Sequence, residues 1–169
     1  MIFLVLGTPD SGKSAKAEAL TMELSGDGKR YYIATMIPFG QEGEKRVLKH
    51  RKMREGKGFE TSECPVKIHE IIYKLESANE STCLLECMSN LIGNEMHLPG
   101  QEMDDKELTE YIVDSVMTVS RAVKNLVIVA NLFPLDGEGY DEDTKRYVTV
   151  VDMVNKELKK RVDKVYELV

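Results

Sequence analysis

Eight consecutive residues near the start of the chain have the types and spacing needed to grip a phosphate chain. Gly7-Thr8-Pro9-Asp10-Ser11-Gly12-Lys13-Ser14 reads G-x-x-x-x-G-K-S directly after the apolar run Ile2-Phe3-Leu4-Val5-Leu6. Glycines in this pattern allow backbone torsions and close approaches that a Cβ would block, so successive N–H groups can converge on phosphate oxygens. The helix expected to follow adds the positive end of its dipole at the same point. Lys13 would reach the terminal phosphates, and the Ser14 hydroxyl would hold Mg²⁺. The pattern and its flanking strand point to binding of a nucleoside triphosphate, with all eight residues in or beside the phosphate cradle. Asp10 is out of character there, because a carboxylate facing into the cradle would repel the ligand.

Other residues capable of chemistry fall where a parallel α/β sheet would gather them, at the carboxyl ends of strands. Thr35, Glu86 and Asn131 occupy such ends, as Lys13 and Ser14 do. Glu86 closes the apolar run Thr82-Cys83-Leu84-Leu85, where a carboxylate can share Mg²⁺ with Ser14. His50 stands in a basic stretch formed by Lys45, Arg46, Lys49, Arg51, Lys52, Arg54 and Lys57. On residue type alone it is either a solvated member of a charged helix or a base or nucleophile toward phosphorus, and the surrounding cations would draw in a triphosphate. His69 and His97 read as structural. Cys64, Cys83 and Cys87 have neither C-x-x-C nor zinc-ligand spacing, and Cys83 reads as a buried small hydrophobe.

These residues need a scaffold, and the hydrophobic pattern supplies one. Short apolar runs predict strands over 2–6, 31–35, 82–85, 126–130 and 165–169, with an extended piece over 59–63. Helical patterns cover 15–25, 44–55, 104–124 and 144–161. An amphipathic helix is expected over 66–76, with Ile68, Ile71, Ile72 and Leu75 on one face. Residues 87–95 read as a helix start or structured loop. Loops are expected around Pro38, Gly40 and Gly43 and over 132–143. Strands alternating with helices predict an α/β fold, P-loop NTPase-like, with a mainly parallel β-sheet and helices on both faces.

A chain of 169 residues with 42% hydrophobic and 31% charged residues suits one nucleotide-binding domain over 1–169. Its net charge of −6, with basic and acidic residues interspersed, argues against nucleic acid as the main partner. There is no basic leader and no apolar stretch of membrane-spanning length, so a cytoplasmic protein without a membrane span is expected.

Several pieces, taken in order, resemble the bifunctional adenosylcobinamide kinase/adenosylcobinamide-phosphate guanylyltransferase family of cobalamin biosynthesis. Beyond the phosphate loop, Tyr32-Ile33-Ala34-Thr35 is similar to the family's Y-I-A-T strand. Arg46-Val47-x-x-His50-x-x-x-Arg54 resembles its R-I-x-x-H-x-x-x-R helix, and Phe59-x-Thr61-x-Glu63 its W-x-T-x-E. Leu84-Leu85-Glu86-Cys87-Met88-Ser89 resembles L-L-E-C-I-T, with Asn94 at the position of an asparagine. The resemblance implies that His50 takes GMP from GTP as a covalent phosphoramidate and passes it to adenosylcobinamide phosphate. It implies a kinase step on adenosylcobinamide by the same protein, Arg54 and Glu63 among the nucleotide's neighbours, Mg²⁺, GTP or ATP as substrate, and a homotrimer. The chain departs from the family where Asn131-Leu132-Phe133-Pro134 replaces N-E-V-G, and where Asp10 replaces an often basic residue. A noncatalytic nucleotide-binding protein, or a P-loop small-metabolite kinase with a different acceptor, are the alternatives.

Overall fold

The computed structural model describes residues 1–169 except Pro38, Phe39 and Asp136, so the loop expected at Pro38 and the centre of the one at 132–143 fall outside the described residues. Six strands form in chain order: β1 (Ile2–Gly7), β2 (Arg30–Ala34), β3 (Phe59–Glu63), β4 (Thr82–Glu86), β5 (Asn125–Asn131) and β6 (Lys164–Leu168). They join one sheet in the order β3-β2-β4-β5-β1-β6, with every neighbouring pair parallel. Between them lie α1 (Lys13–Ser25), α2 (Gly40–Arg54), α3 (Met88–Met96), α4 (Asp105–Ala122) and α5 (Glu142–Arg161).

The uninterrupted apolar runs of β1, β4 and β5 are those of strands covered on both faces, as a parallel sheet requires. Successive side chains point to opposite faces. Leu4, Leu6, Leu85, Ile128 and Ala130 therefore join one core with Leu91 of α3, Ile112 and Val116 of α4, and Val151 and Leu158 of α5. Phe3, Val5, Tyr32, Leu84, Val127 and Val129 pack on the other side with Ala17 and Leu20 of α1. Two helices are closed by acidic caps. Asp104 accepts from the Glu107 N–H at 2.8 Å, and Asp141 accepts from the Thr144 N–H at 2.7 Å. Register pairs Gly7 with Asn131 and Ala34 with both Glu86 and Glu63, which brings the carboxyl ends of β1–β5 to one side of the molecule.

Three local expectations change. The stretch 66–76 is no α-helix but a 3₁₀ turn over Ile68–Lys74. Left-handed Lys67 (φ 52°) and Ser77 (φ 50°) bracket it, and side chains three apart share a face in a 3₁₀ turn, so Ile68 and Ile71 still reach the core. Gly40 and Gly43, expected in a loop, belong to α2, where Gly43 is buried. Met88–Met96 is a full helix, with Met88, Leu91, Ile92 and Met96 on its buried side.

Candidate active site

The phosphate loop turns immediately after β1. Gly7 has no room for a Cβ, which would run into Ser11 Oγ and the Leu168 carbonyl. Gly12 sits at φ 85°, the left-handed region that favours glycine, and α1 begins at the next residue. The Ser11 N–H donates to Thr8 O at 3.2 Å, closing the turn, and the Thr8 N–H donates to Leu168 O at 3.3 Å, tying the loop to β6. Lys13 Nζ donates to Thr8 O at 3.3 Å. Ser11 Oγ is buried inside the loop without a protein partner. Asp10 is exposed at φ 63°, a torsion that aspartate tolerates better than most residues with a Cβ, which gives this acid a conformational role in the turn.

Across from the loop, Ser14 Oγ donates to Glu86 Oε1, while Glu86 Oε2 is buried with no partner. A hydroxyl and a carboxylate with a spare oxygen, beside a phosphate loop, fit Mg²⁺. Among the described residues no group of three or more His, Cys, Asp and Glu could cage a cation alone, so phosphate oxygens and water would complete its shell. Thr35, expected as a ligand, does not line the cleft. Its hydroxyl accepts from the Cys87 N–H at 2.9 Å and donates to backbone carbonyls of Glu86 and Cys87, fastening the end of β2 to that of β4. Asn94 works alongside it, donating to Thr35 O at 2.8 Å and Pro65 O at 2.9 Å. Burial pushes the Cys87 thiol up, so it stays protonated at neutral pH and is a poor nucleophile despite its position in the wall.

The third wall is α2. Arg46, His50 and Arg54 recur every four residues and so share one helical face, and all three line the cleft. This helix buries only Gly43 and Arg54. The Arg54 guanidinium lies 3.4 Å from the centre of the Tyr32 ring, and its Nη2 donates to Thr61 Oγ1 at 3.4 Å. The turn after α2 is pinned as well. Lys57 Nζ pairs with the buried Glu18 carboxylate at 3.4 Å, and Arg30 reaches the Lys57 carbonyl. Glu63 is exposed at the rim, 3.8 Å from Arg51 Nη2. Burial, followed by the nearby Glu86 carboxylate, pushes the Tyr32 phenol up and keeps it neutral.

The cleft has two compartments. A narrower one of about 160 Å³ lies between Glu86, Tyr32, Arg54, Thr61 and Glu63. A wider one of about 690 Å³ opens past Pro9, Asp10 and Gly12 toward Met53, Phe133 and Tyr147. Lys13, Ser14, Arg46, His50, Asn90 and Asn131 line both. His50 is thus half-buried on the shared wall, lining the same compartments as the phosphate-loop lysine. Sequence reasoning missed Asn90, Tyr32, Phe133 and Tyr147 as wall residues. Only Asn90 carried a local signal, two residues into the helix that follows the Glu86 strand end. Phe133 and Tyr147 form a tilted pair with centroids 5.9 Å apart, and the Tyr147 hydroxyl donates to Ser89 O at 3.0 Å.

Among solved structures, the ATPase domain of G40P has the same fold, with a TM-score of 0.59 at 12% identity over 99% of this chain and 69% of that one. Flagellar accessory protein FlaH from Methanocaldococcus jannaschii gives a TM-score of 0.44 at 14% identity, over 90% of this chain and 67% of its own. No curated protein matches. The all-parallel sheet with its phosphate loop is a P-loop NTPase architecture, and no described helix is long and apolar enough to cross a membrane. Residues 3–169 match the description cobinamide kinase / cobinamide phosphate guanyltransferase, and the chain belongs to that family of cobalamin biosynthesis.

Proposed function

We propose that this protein phosphorylates adenosylcobinamide and transfers GMP from GTP to adenosylcobinamide phosphate, with His50 as the residue that carries the guanylyl group. One observation carries the reading. His50 lies on a wall common to two compartments that Lys13 and Ser14 also line. A nucleophile that receives a group from one substrate and hands it to another needs access to both.

In the guanylyl step, a bare imidazole nitrogen of His50 attacks the α-phosphorus. An N–P bond forms, the bond to the bridging oxygen of pyrophosphate breaks, and the other ring nitrogen releases its proton. Backbone N–H groups of Asp10, Gly12 and Lys13 and the Lys13 ammonium neutralise charge growing on the leaving pyrophosphate. Mg²⁺ held by Ser14 and Glu86 would supply further neutralisation of the phosphate oxygens. In the kinase step the acceptor hydroxyl attacks the γ-phosphorus in line, and catalysis is mainly positioning and electrostatics. Self-association as a trimer belongs to the same proposal; light scattering that gives a clean monomer under assay conditions removes that part.

The test is incubation with Mg²⁺ and GTP labelled at the α-phosphate, followed by denaturing mass spectrometry. An acid-labile, alkali-stable GMP adduct on His50 is expected, together with ADP or GDP formation dependent on adenosylcobinamide. Nucleotide binding with neither adduct nor corrinoid-dependent turnover overturns the reading.

A further inference from the structure

We propose that the wider compartment, with the groove it runs into behind Tyr147, holds the body of the acceptor, and that Phe133, Tyr147 and Asp10 select it. The inference rests on the transferase reading, in which the narrower compartment with Arg54, Thr61 and Glu63 belongs to the nucleotide, and it names where the other substrate lies.

The first observation is size and continuity. The narrower compartment measures about 160 Å³ and the wider one about 690 Å³. A further pocket of about 280 Å³ continues from the wider one along Ser89, Asn90 and Tyr147 to His97 and Asp143. An amide-rimmed macrocycle such as cobinamide needs the larger space, which falls in the usual range for small-ligand clefts.

The second is the wall. Phe133 and Tyr147 pack against the core on one side and line the cavity on the other. Tyr147 is fixed by its hydroxyl on Ser89 O at 3.0 Å and by its ring against Gly93, where a Cβ would stand 3.4 Å away. Met53 of α2 adds an adaptable thioether to the same cavity. A rigid aromatic pair with such a neighbour suits a broad, weakly polar face and not a phosphate chain.

The third is polarity. Lys13, Arg46 and His50 line both compartments, where phosphate is transferred, and Lys49 joins them in the wider one. Asp10 is the one carboxylate lining the wider compartment among the described residues. An ionised carboxylate accepts hydrogen bonds and donates none, so it favours the N–H groups of an amide and repels an anion. Asn90 and Asn131 add carboxamides, which match amides as donor and acceptor together. Asn131 is fixed through its backbone, its N–H donating to Ser89 Oγ at 3.3 Å and its carbonyl accepting from Asn155 at 3.0 Å. Asp10 and Phe133 also come from the two segments in which this chain departs from the family's pattern, and they meet in this one cavity. The acceptor side is therefore where its selectivity is set.

The experiment titrates adenosylcobinamide calorimetrically into the whole protein saturated with Mg²⁺ and a non-hydrolysable GTP analogue. One equivalent should bind. Phe133→Leu should weaken it by about tenfold and Asp10→Asn by about fivefold, with nucleotide affinity unchanged. In steady-state kinase assays both variants should raise KM for adenosylcobinamide and leave kcat nearly as it was. Asp10→Asn is an exposed change of like shape, so the test stays decisive even where Phe133→Leu destabilises the fold. Acceptor binding that survives unchanged in Asp10→Asn and Phe133→Leu overturns the proposal, and so does an equal loss of nucleotide and acceptor in either. Corrinoid-dependent turnover by wild type alongside either result rejects the acceptor site and keeps the transferase reading. Wild-type protein that binds no adenosylcobinamide also overturns the proposal, and the His50 adduct assay on the same preparation then decides separately whether guanylyl chemistry stands.

Discussion

Two walls face each other across the cleft, and they are built in opposite ways. The phosphate loop is made of consecutive residues between a buried strand and a helix that buries Ala17, Glu18, Leu20 and Thr21. Its shape follows from glycines and backbone hydrogen bonds. The α2 wall carries His50 but buries only Gly43 and Arg54, and its fastening is concentrated at one end, in the Arg54–Tyr32 stack and the Lys57–Glu18 pair. Few buried apolar contacts and an exposed backbone place such a helix at the low end of local stability. The difference teaches that gripping a nucleotide and carrying a group from it draw on separate structural resources, so each can be damaged without the other.

The sharpest way to break the comparison is His50→Asn. Adduct formation should vanish, while phosphoryl transfer to adenosylcobinamide continues, measured by α-labelled and γ-labelled nucleotide in parallel. A covalent guanylate persisting in this variant would falsify the nucleophile assignment. On the opposite wall, Lys13→Ala should depress both reactions by roughly 10²–10³-fold, because it removes a charge aimed at phosphate oxygens common to both. Steady-state kinetics with both acceptors checks this. Gly7→Val should also affect both, since a Cβ has no space against Ser11 and Leu168. A stability loss of about 1–3 kcal/mol is expected in denaturant titration.

Tyr32→Leu probes the anchor of α2. Loss of a largely desolvated cation–π contact of about 2 kcal/mol should raise amide exchange along residues 40–54 and slow guanylylation by about tenfold, with nucleotide affinity nearly unchanged. Equal damage to affinity and transfer would mean that the two walls are not independent. The smallest effect is expected away from both. His97 donates to Gly93 O at 2.8 Å and to Asp143 at 2.9 Å, linking α3 to the start of α5. The Gly93 carbonyl first, then the Asp143 carboxylate, raise its pKa above the usual 6.5. The stability this contributes is therefore complete below pH 6.5 and lost as pH rises through the higher folded value. The pair is solvent-screened, so His97→Gln should cost no more than about 1 kcal/mol, a Tm drop of roughly 2–4 °C or less, at pH 6 and nothing measurable at pH 9.

Much of this protein was legible one residue after another. The phosphate loop could be read because backbone torsion and N–H direction are local properties that glycine, lysine and serine declare in a run of eight. The strands at 82–85 and 126–130 could be read because burial on both faces leaves unbroken apolar runs. The pairing of His50 with the loop came from a resemblance, since a histidine in a basic helix has the same local pattern whether it faces solvent or substrate. Other features depended on the folded chain. Thr35 sits at a strand end like its neighbours, yet the approach of β4 engages its hydroxyl with backbone. The stretch 66–76 has helical spacing, but between left-handed Lys67 and Ser77 the chain winds as a 3₁₀ turn. Arg54 reads as one cation among seven until Tyr32, from a strand far away in sequence, comes to lie beneath it. Local torsion and hydrophobic periodicity were settled by the sequence itself, because they depend on near neighbours. Which polar group is left unpartnered, and on which wall, was decided only when distant segments met in the tertiary structure and desolvated it.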